Sequence, residues 1–195
     1  MITQLESIQK DRRAILALGA NKISHLGAVE RTIAHALTQL GTESGKLLAV
    51  SRFYRTPAFP SGSGPDYVNC AATISTALPP AELLNHLHRI EAASGRVREA
   101  RWGARTLDID LIGIEDLILP DAEILQGWID LPQAEQAKHT PDRLLLPHPR
   151  LQDRAFVLIP LAEIAPGWHH PLTGQTVAEM LASLPAAMKA DVRLL

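Results

Sequence analysis

Residues 47–76 read LLAVSRFYR, then TPAFPSGSGPD, then YVNCAATIST. The outer two pieces are rich in strand formers, and the middle piece is crowded with Pro and Gly that forbid regular structure. Two strands joined in this way pair most simply as antiparallel neighbours. Upstream, Ala14-Ile15-Leu16-Ala17-Leu18 is a compact apolar run ended by Gly19 and Asn21, which predicts a buried strand. Between that run and Leu47, Val29, Ile33, Leu37 and Leu40 fall at helical spacing, and Gly41 is expected to stop the helix. Downstream, Pro79-Pro80 opens a second helix with Leu83, Leu84, Leu87 and Ile90 on its buried stripe, and 107–113 reads as a further strand.

The resulting order, β-α-β-β-α-β, predicts an α+β fold of the ferredoxin-like (split βαβ) kind. Helices pack on an antiparallel sheet in three αβα layers. Residues 1–13 read as an N-terminal extension, and 1–195 as a single domain. The stretch 114–146 reads as an enlarged excursion with one short strand at 117–119. A third helical segment is expected over 150–163, shortened by Pro160. Thr176-Val-Ala-Glu179 has the form of a capping box and opens a helix to about Leu184.

Composition narrows the function classes. The chain has 195 residues, 46% hydrophobic and 21% charged, enough for a substantial core. A net charge of -2 argues against a protein that coats nucleic acid or anionic membrane through bulk charge. No run approaches the roughly eighteen apolar residues of a membrane span, and the polar start MITQLESIQKDRR lacks the apolar stretch of a secretory signal. Cys70 is the single cysteine, which excludes an internal disulfide and fits a reducing cytoplasm. A cytoplasmic monomer with no nucleic-acid or membrane partner is expected.

Chemistry concentrates in one region. Asp108 and Asp110 are two apart on a strand, so both carboxylates project from one face. Two such hard oxygen ligands suit Mg²⁺, although a solvated strand face can show the same pattern. Just upstream lie Arg96, Arg98, Arg101 and Arg105, with Glu99 the acid among them, a local charge of +3. Cations for phosphate oxygens beside carboxylates for a metal are what phosphoryl transfer from a nucleotide requires. Trp102, in the same polar loop, either stacks on a flat ligand ring or anchors the loop. Tyr67 and Asn69 share a strand face, and Asn offers the paired donor and acceptor that match a pterin-like edge. His148 stands between Pro147 and Pro149, whose rings fix the local backbone. There is neither a G-x-x-x-x-G-K-[ST] loop nor a G-x-G-x-x-G, and the other histidines show no zinc-ligand spacing.

Taken together, Gly19-Ala20-Asn21, the stretch 51–57 (SRFYRTP), Asp66-Tyr67-Val68-Asn69, Arg89-Ile90-Glu91, 101–110 (RWGARTLDID) and Pro147-His148-Pro149-Arg150 with Arg154-Ala155-Phe156 resemble the 6-hydroxymethyl-7,8-dihydropterin pyrophosphokinases of folate biosynthesis. The likeness runs over 14–166. It implies a kinase that moves the terminal diphosphate of ATP onto the pterin hydroxymethyl group, with two Mg²⁺ ions held by Asp108 and Asp110. By the same likeness Arg96 and Arg105 flank the reacting phosphates as catalytic residues. ATP would be bound by His88, Glu91, Arg98, Trp102, Arg105, Ile109, His148 and Arg154. The pterin would be bound by Thr56, Pro57, Tyr67, Asn69, Trp102 and Phe156, and Asp110 is the candidate acceptor of the hydroxyl proton.

The chain departs from the family pattern at His88, where Gln is usual, and at Ala104, where Pro is common. The loop from Arg98 to Trp102 is one residue short, and 114–146, which contains Trp128, is longer than typical. Two other classes compete. Another Mg-dependent transferase with a D-x-D site leaves Tyr67, Asn69 and the P-H-P-R segment unexplained. A ferredoxin-like nucleic-acid-binding module would need the aromatic sheet signature that this sequence lacks.

Overall fold

The computed structural model describes residues 11–58, 64–96, 104–132, 135 and 138–195. The first apolar run forms β1, Arg12–Ala20, so Arg12 and Arg13 belong to the sheet rather than to an extension. β4, Tyr67–Thr76, pairs antiparallel with β1 along its full length, from Arg12 opposite Thr76 to Ala20 opposite Val68. β5, Asp108–Ile114, lies antiparallel on the other side of β1.

The strand expected over 47–55 is two strands, β2 (Lys46–Val50) and β3 (Tyr54–Thr56), both paired with β4. Side chains cause the interruption. The Ser51 hydroxyl accepts the Ala71 N–H at 2.9 Å, and the Arg52 N–H donates to Glu163 Oε2 at 2.9 Å. Those groups replace ladder partners, and the chain kinks between the two short strands. An unforeseen strand β6, Arg193–Leu194, pairs with β3, giving the order β5-β1-β4-β3-β6 with β2 also beside β4. With β2 and β3 counted as one broken strand, this is the expected split βαβ sheet.

Two helices cover one face. α1, Val29–Gln39, runs past Gly41 through a wider π turn at Leu40–Ser44 and stops at Gly45. Gly45 has φ +148°, and a Cβ there would sit 2.2 Å from the Ser75 carbonyl oxygen. The close approach of the neighbouring strand therefore sets the stop, which the position of Gly41 does not. α2, Pro80–Ala93, buries Leu83, Leu87 and Ile90, with Leu84 half-buried. These helices pack on Leu16, Leu18, Val68, Cys70, Ile109 and Leu111. Burial pushes the Cys70 thiol up to about 12, so it stays protonated.

The other face, around Ile15, Ala71 and Ile112, is covered by α4 (Ala155–Ile164) and α5 (Val177–Ser183), completing three layers. α3 lies earlier in the chain, at Ala122–Asp130. α4 follows a single 3-10 turn, Leu151–Asp153, and Pro160 sits inside it without shortening it. Pro160 is buried beside Leu158 and Leu161, and burial of this nearly all-apolar helix offsets one missing hydrogen bond. The capping box opens α5 as expected: Glu179 N–H donates to Thr176 Oγ1 at 3.1 Å and Thr176 N–H to Glu179 Oε2 at 2.8 Å. A short α6, Ala186–Ala190, follows. In the excursion, the expected strand 117–119 is a single bridge, Leu119 to Leu146. α3, which breaks the expected irregularity, is capped by Asp121 accepting the Ile124 N–H at 2.9 Å.

His170 is fully buried at the turn before α5, and its Nδ1 accepts the N–H groups of Leu172 at 3.2 Å and Thr173 at 3.3 Å. Burial lowers its pKa, so the folded state holds it neutral while the unfolded chain protonates it below about 6.5. The unfolded state then binds more protons, and stability falls as the pH drops from 7 toward 5. His170→Asn, which keeps an acceptor but cannot titrate, should flatten that slope in denaturant melts across this range. An unaltered slope would refute the assignment.

Candidate active site

Strand register brings the key residues to one end of the sheet. On the face covered by α4, Asp110 lies opposite Ala17 and Ala17 opposite Ala71; one row further, Asp108 lies opposite Gly19 and Gly19 opposite Asn69. Small residues hold the middle of both rows, between the acids of β5 and the amide of β4. Gly19 is required here, because a Cβ would lie 2.8 Å from Asn69 Oδ1. Asn69 in turn donates from Nδ2 to Thr56 Oγ1 at 2.8 Å, and Tyr67 faces Thr56 across the β3–β4 pair.

Asp108 and Asp110 project together while Ile109 and Leu111 enter the core, as strand alternation predicts. The Asp108 carboxylate is gripped by the guanidinium groups of both Arg96 and Arg105. Arg96 is positioned from the end of α2: Gly95, at φ +83°, turns the chain back so that the Arg96 N–H donates to the Glu91 carbonyl at 3.1 Å. The Arg96 guanidinium also pairs with the buried Glu91 carboxylate, which accepts the Ile109 N–H at 2.7 Å. One buried acid thus fixes both an arginine and the strand segment between the two aspartates. Burial alone would lower the Arg105 pKa, but the Asp108 carboxylate outweighs it and raises the value, so this cation persists.

Arg154, at the start of α4, reaches Asp110 at 3.1 Å and lies 5.7 Å from the ring centre of Phe156. His148 is fastened at its backbone, its N–H donating to the Ile112 carbonyl at 2.8 Å. Its Nδ1 accepts the Arg150 N–H at 3.0 Å. Burial, and then the cations of Arg154 and Arg150, hold its pKa well below the usual range. The ring is therefore neutral, with its proton on Nε2 as a donor.

These groups line a cleft of about 1860 Å³, which includes His88, Glu91, Arg96, Arg105, Asp108, Ile109, Asp110, His148 and Arg154. That exceeds the ~1,000 Å³ upper range of single-ligand sites, and the pterin candidates Thr56, Pro57, Tyr67, Asn69 and Phe156 are not among the residues that line it. The nucleotide and metal candidates are thus brought together. The pterin candidates are less united: Thr56, Tyr67 and Asn69 cluster at the same end of the sheet, whereas Pro57 is exposed and Phe156 accompanies Arg154. Arg98 and Trp102 lie outside the described residues.

Sequence reasoning passed over Asn21 as a site residue. Its side chain accepts the Arg105 N–H at 2.7 Å and donates to the Pro65 carbonyl at 3.0 Å, tying the arginine loop to the end of β1. Its place directly after an apolar run that ends in Gly19 was the available signal. Arg150 and the excursion residues Trp128, His139 and Arg143 also line the cleft.

Two carboxylates, with no cluster of three or more metal-ligating side chains among the described residues, fit a hard divalent ion that keeps waters and takes phosphate oxygens. They do not form a closed protein cage.

Known proteins resemble this chain over most of its length. The family described as 7,8-dihydro-6-hydroxymethylpterin-pyrophosphokinase (HPPK) matches residues 15–166. The 2-amino-4-hydroxy-6-hydroxymethyldihydropteridine pyrophosphokinase of Methylorubrum extorquens is 39% identical over 173 residues, covering 88% of this chain and 93% of that protein. The Synechocystis protein of the same name is 38% identical over 174 residues, covering 89% of this chain and 76% of its own. Among solved structures, Plasmodium falciparum HPPK-DHPS with SDX-DHP shares the fold at a TM-score of 0.65 and 15% identity, over 91% of this chain. This chain spans 46% of that longer protein. The matched span contains both aspartates, the described arginines around them and the Gly19 position that admits the Asn69 amide, and the chain belongs to the 7,8-dihydro-6-hydroxymethylpterin-pyrophosphokinase family.

Proposed function

We propose that the cleft at Asp108 and Asp110 is where this chain carries out its family's reaction, the transfer of diphosphate from ATP to 6-hydroxymethyl-7,8-dihydropterin in folate synthesis. The observation that carries the assignment is the pair of same-face carboxylates meshed with Arg96, Arg105 and Arg154 along one cleft. Asp108 and Asp110 would hold two Mg²⁺ ions, which neutralise triphosphate charge when bound. Arg96 and Arg105 bind the reacting phosphates, and His148 Nε2–H and Arg154 bind nucleotide phosphate oxygens. Thr56, Tyr67 and Asn69, at the same end of the sheet, orient the pterin.

With both substrates held in line, the hydroxymethyl oxygen attacks the β-phosphorus. The bond from that phosphorus to the α–β bridging oxygen breaks, and AMP leaves. Asp110 takes the hydroxyl proton. Positioning and fixed positive charge supply most of the acceleration. We further infer a single catalytic domain that works as a cytoplasmic monomer. The lone thiol lies buried, and no described helix is long and apolar enough to cross a membrane. Incubation with Mg-ATP and the hydroxymethyl-dihydropterin should yield AMP and the pterin diphosphate; ADP, or no pterin-dependent turnover, would refute the reading.

A further inference from the structure

The enlarged excursion contributes a wall of the cleft. Within it, α3 stands between two cavities. Leu125 is fully buried and fixes the helix to the body of the protein. One turn later, half-buried Trp128 lines the main cleft, while the next residue, Ile129, lines a separate cavity of about 320 Å³. The helix is therefore oriented, with its indole on the cleft side.

The cleft lining contains two kinds of surface. Arg96, Arg105, Arg154 and His148 gather around the aspartates and suit a polyanion. Leu84, Leu144 and Trp128 offer apolar and flat surface that a triphosphate cannot use. A purine base needs such surface, because every base presents a π-face to stack on. His88 shares this lining.

We propose that Trp128 is an additional nucleotide-binding residue that stacks on the purine of ATP, making α3 a determinant of nucleotide affinity in this chain. The inference rests on ATP being the diphosphate donor. It extends the site beyond the residues that the family resemblance supplies, since Trp128 is not among them.

The test is calorimetric titration, without pterin, of the full chain with two magnesium-loaded probes: non-hydrolysable α,β-methylene-ATP and inorganic tripolyphosphate. Trp128→Ala should weaken the ATP analogue roughly tenfold and leave tripolyphosphate within about twofold. Trp128→Phe should recover most of the loss, and Trp128→Leu, which keeps apolar bulk without a π-face, should not. Wild-type affinity of Trp128→Ala for the analogue, equal losses for both probes, or full recovery by Leu would overturn the proposal. Because neither probe needs pterin turnover, an inactive protein with the expected binding pattern would refute the reaction while leaving the nucleotide subsite in place.

Discussion

Asp110→Asn should lower turnover roughly a thousandfold, the loss expected when an interaction worth several kcal/mol in the transition state is removed. Asparagine has nearly the same shape, and its Oδ1 can still accept the Arg154 contact now made at 3.1 Å. The strand keeps its register, because Asp110 reaches the sheet only through backbone pairing opposite Ala17. What disappears is one negative charge at the point proposed to hold the metal and to accept the hydroxyl proton. Initial rates of AMP release, measured beside an unfolding curve, separate the two effects. The curve should stay within about 1 kcal/mol of wild type, as for an isosteric change at a partly exposed site. Wild-type-like turnover would refute the metal assignment.

Glu91→Leu should produce the largest loss of stability, about 3 kcal/mol. The carboxylate is buried and serves two partners, the Arg96 guanidinium and the Ile109 N–H. Leucine fills the volume but leaves a buried donor unsatisfied and a cation short of one counter-charge. Glu91→Gln keeps an acceptor for Ile109 and should recover about half of the loss, since it restores the hydrogen bond and not the charge. Denaturant midpoints of the three proteins decide the matter, and coincident midpoints would show that Glu91 is not the tie between α2 and β5. The same leucine variant should also lose activity, because Arg96 is aimed at Asp108 only while Glu91 holds its other side.

The parts of the site that were legible in the sequence are those set by local periodicity. Asp108 and Asp110 share a face because strand side chains alternate, and the Thr176–Glu179 cap is a four-residue pattern read without tertiary knowledge. Family likeness added roles to the residues that spacing alone left open. Features that depend on distant partners were hidden. The break between β2 and β3 needs the Glu163 carboxylate, 111 residues from the Arg52 amide that it binds. The grip of Glu91 on Arg96 needs the left-handed turn at Gly95. α3 escaped notice although Ile124, Leu125, Trp128 and Ile129 fall at helical spacing, because the stripe spans barely two turns and Leu125 is its one buried residue. Pro160 misled in the opposite direction: its local cost is real, and a helix buried along most of its length absorbs it.

The two-residue strand β6 has a consequence for solubility. Arg193 and Leu194 pair with Arg55 and Tyr54, and the Leu195 N–H donates to the Phe53 carbonyl at 3.0 Å. An uncovered β3 would present a row of open N–H and C=O groups, a template on which a second chain could polymerise. Residues 193–195 occupy part of that template, so the backbone groups they meet on β3 and Phe53 are paired within the chain and closed to a second one.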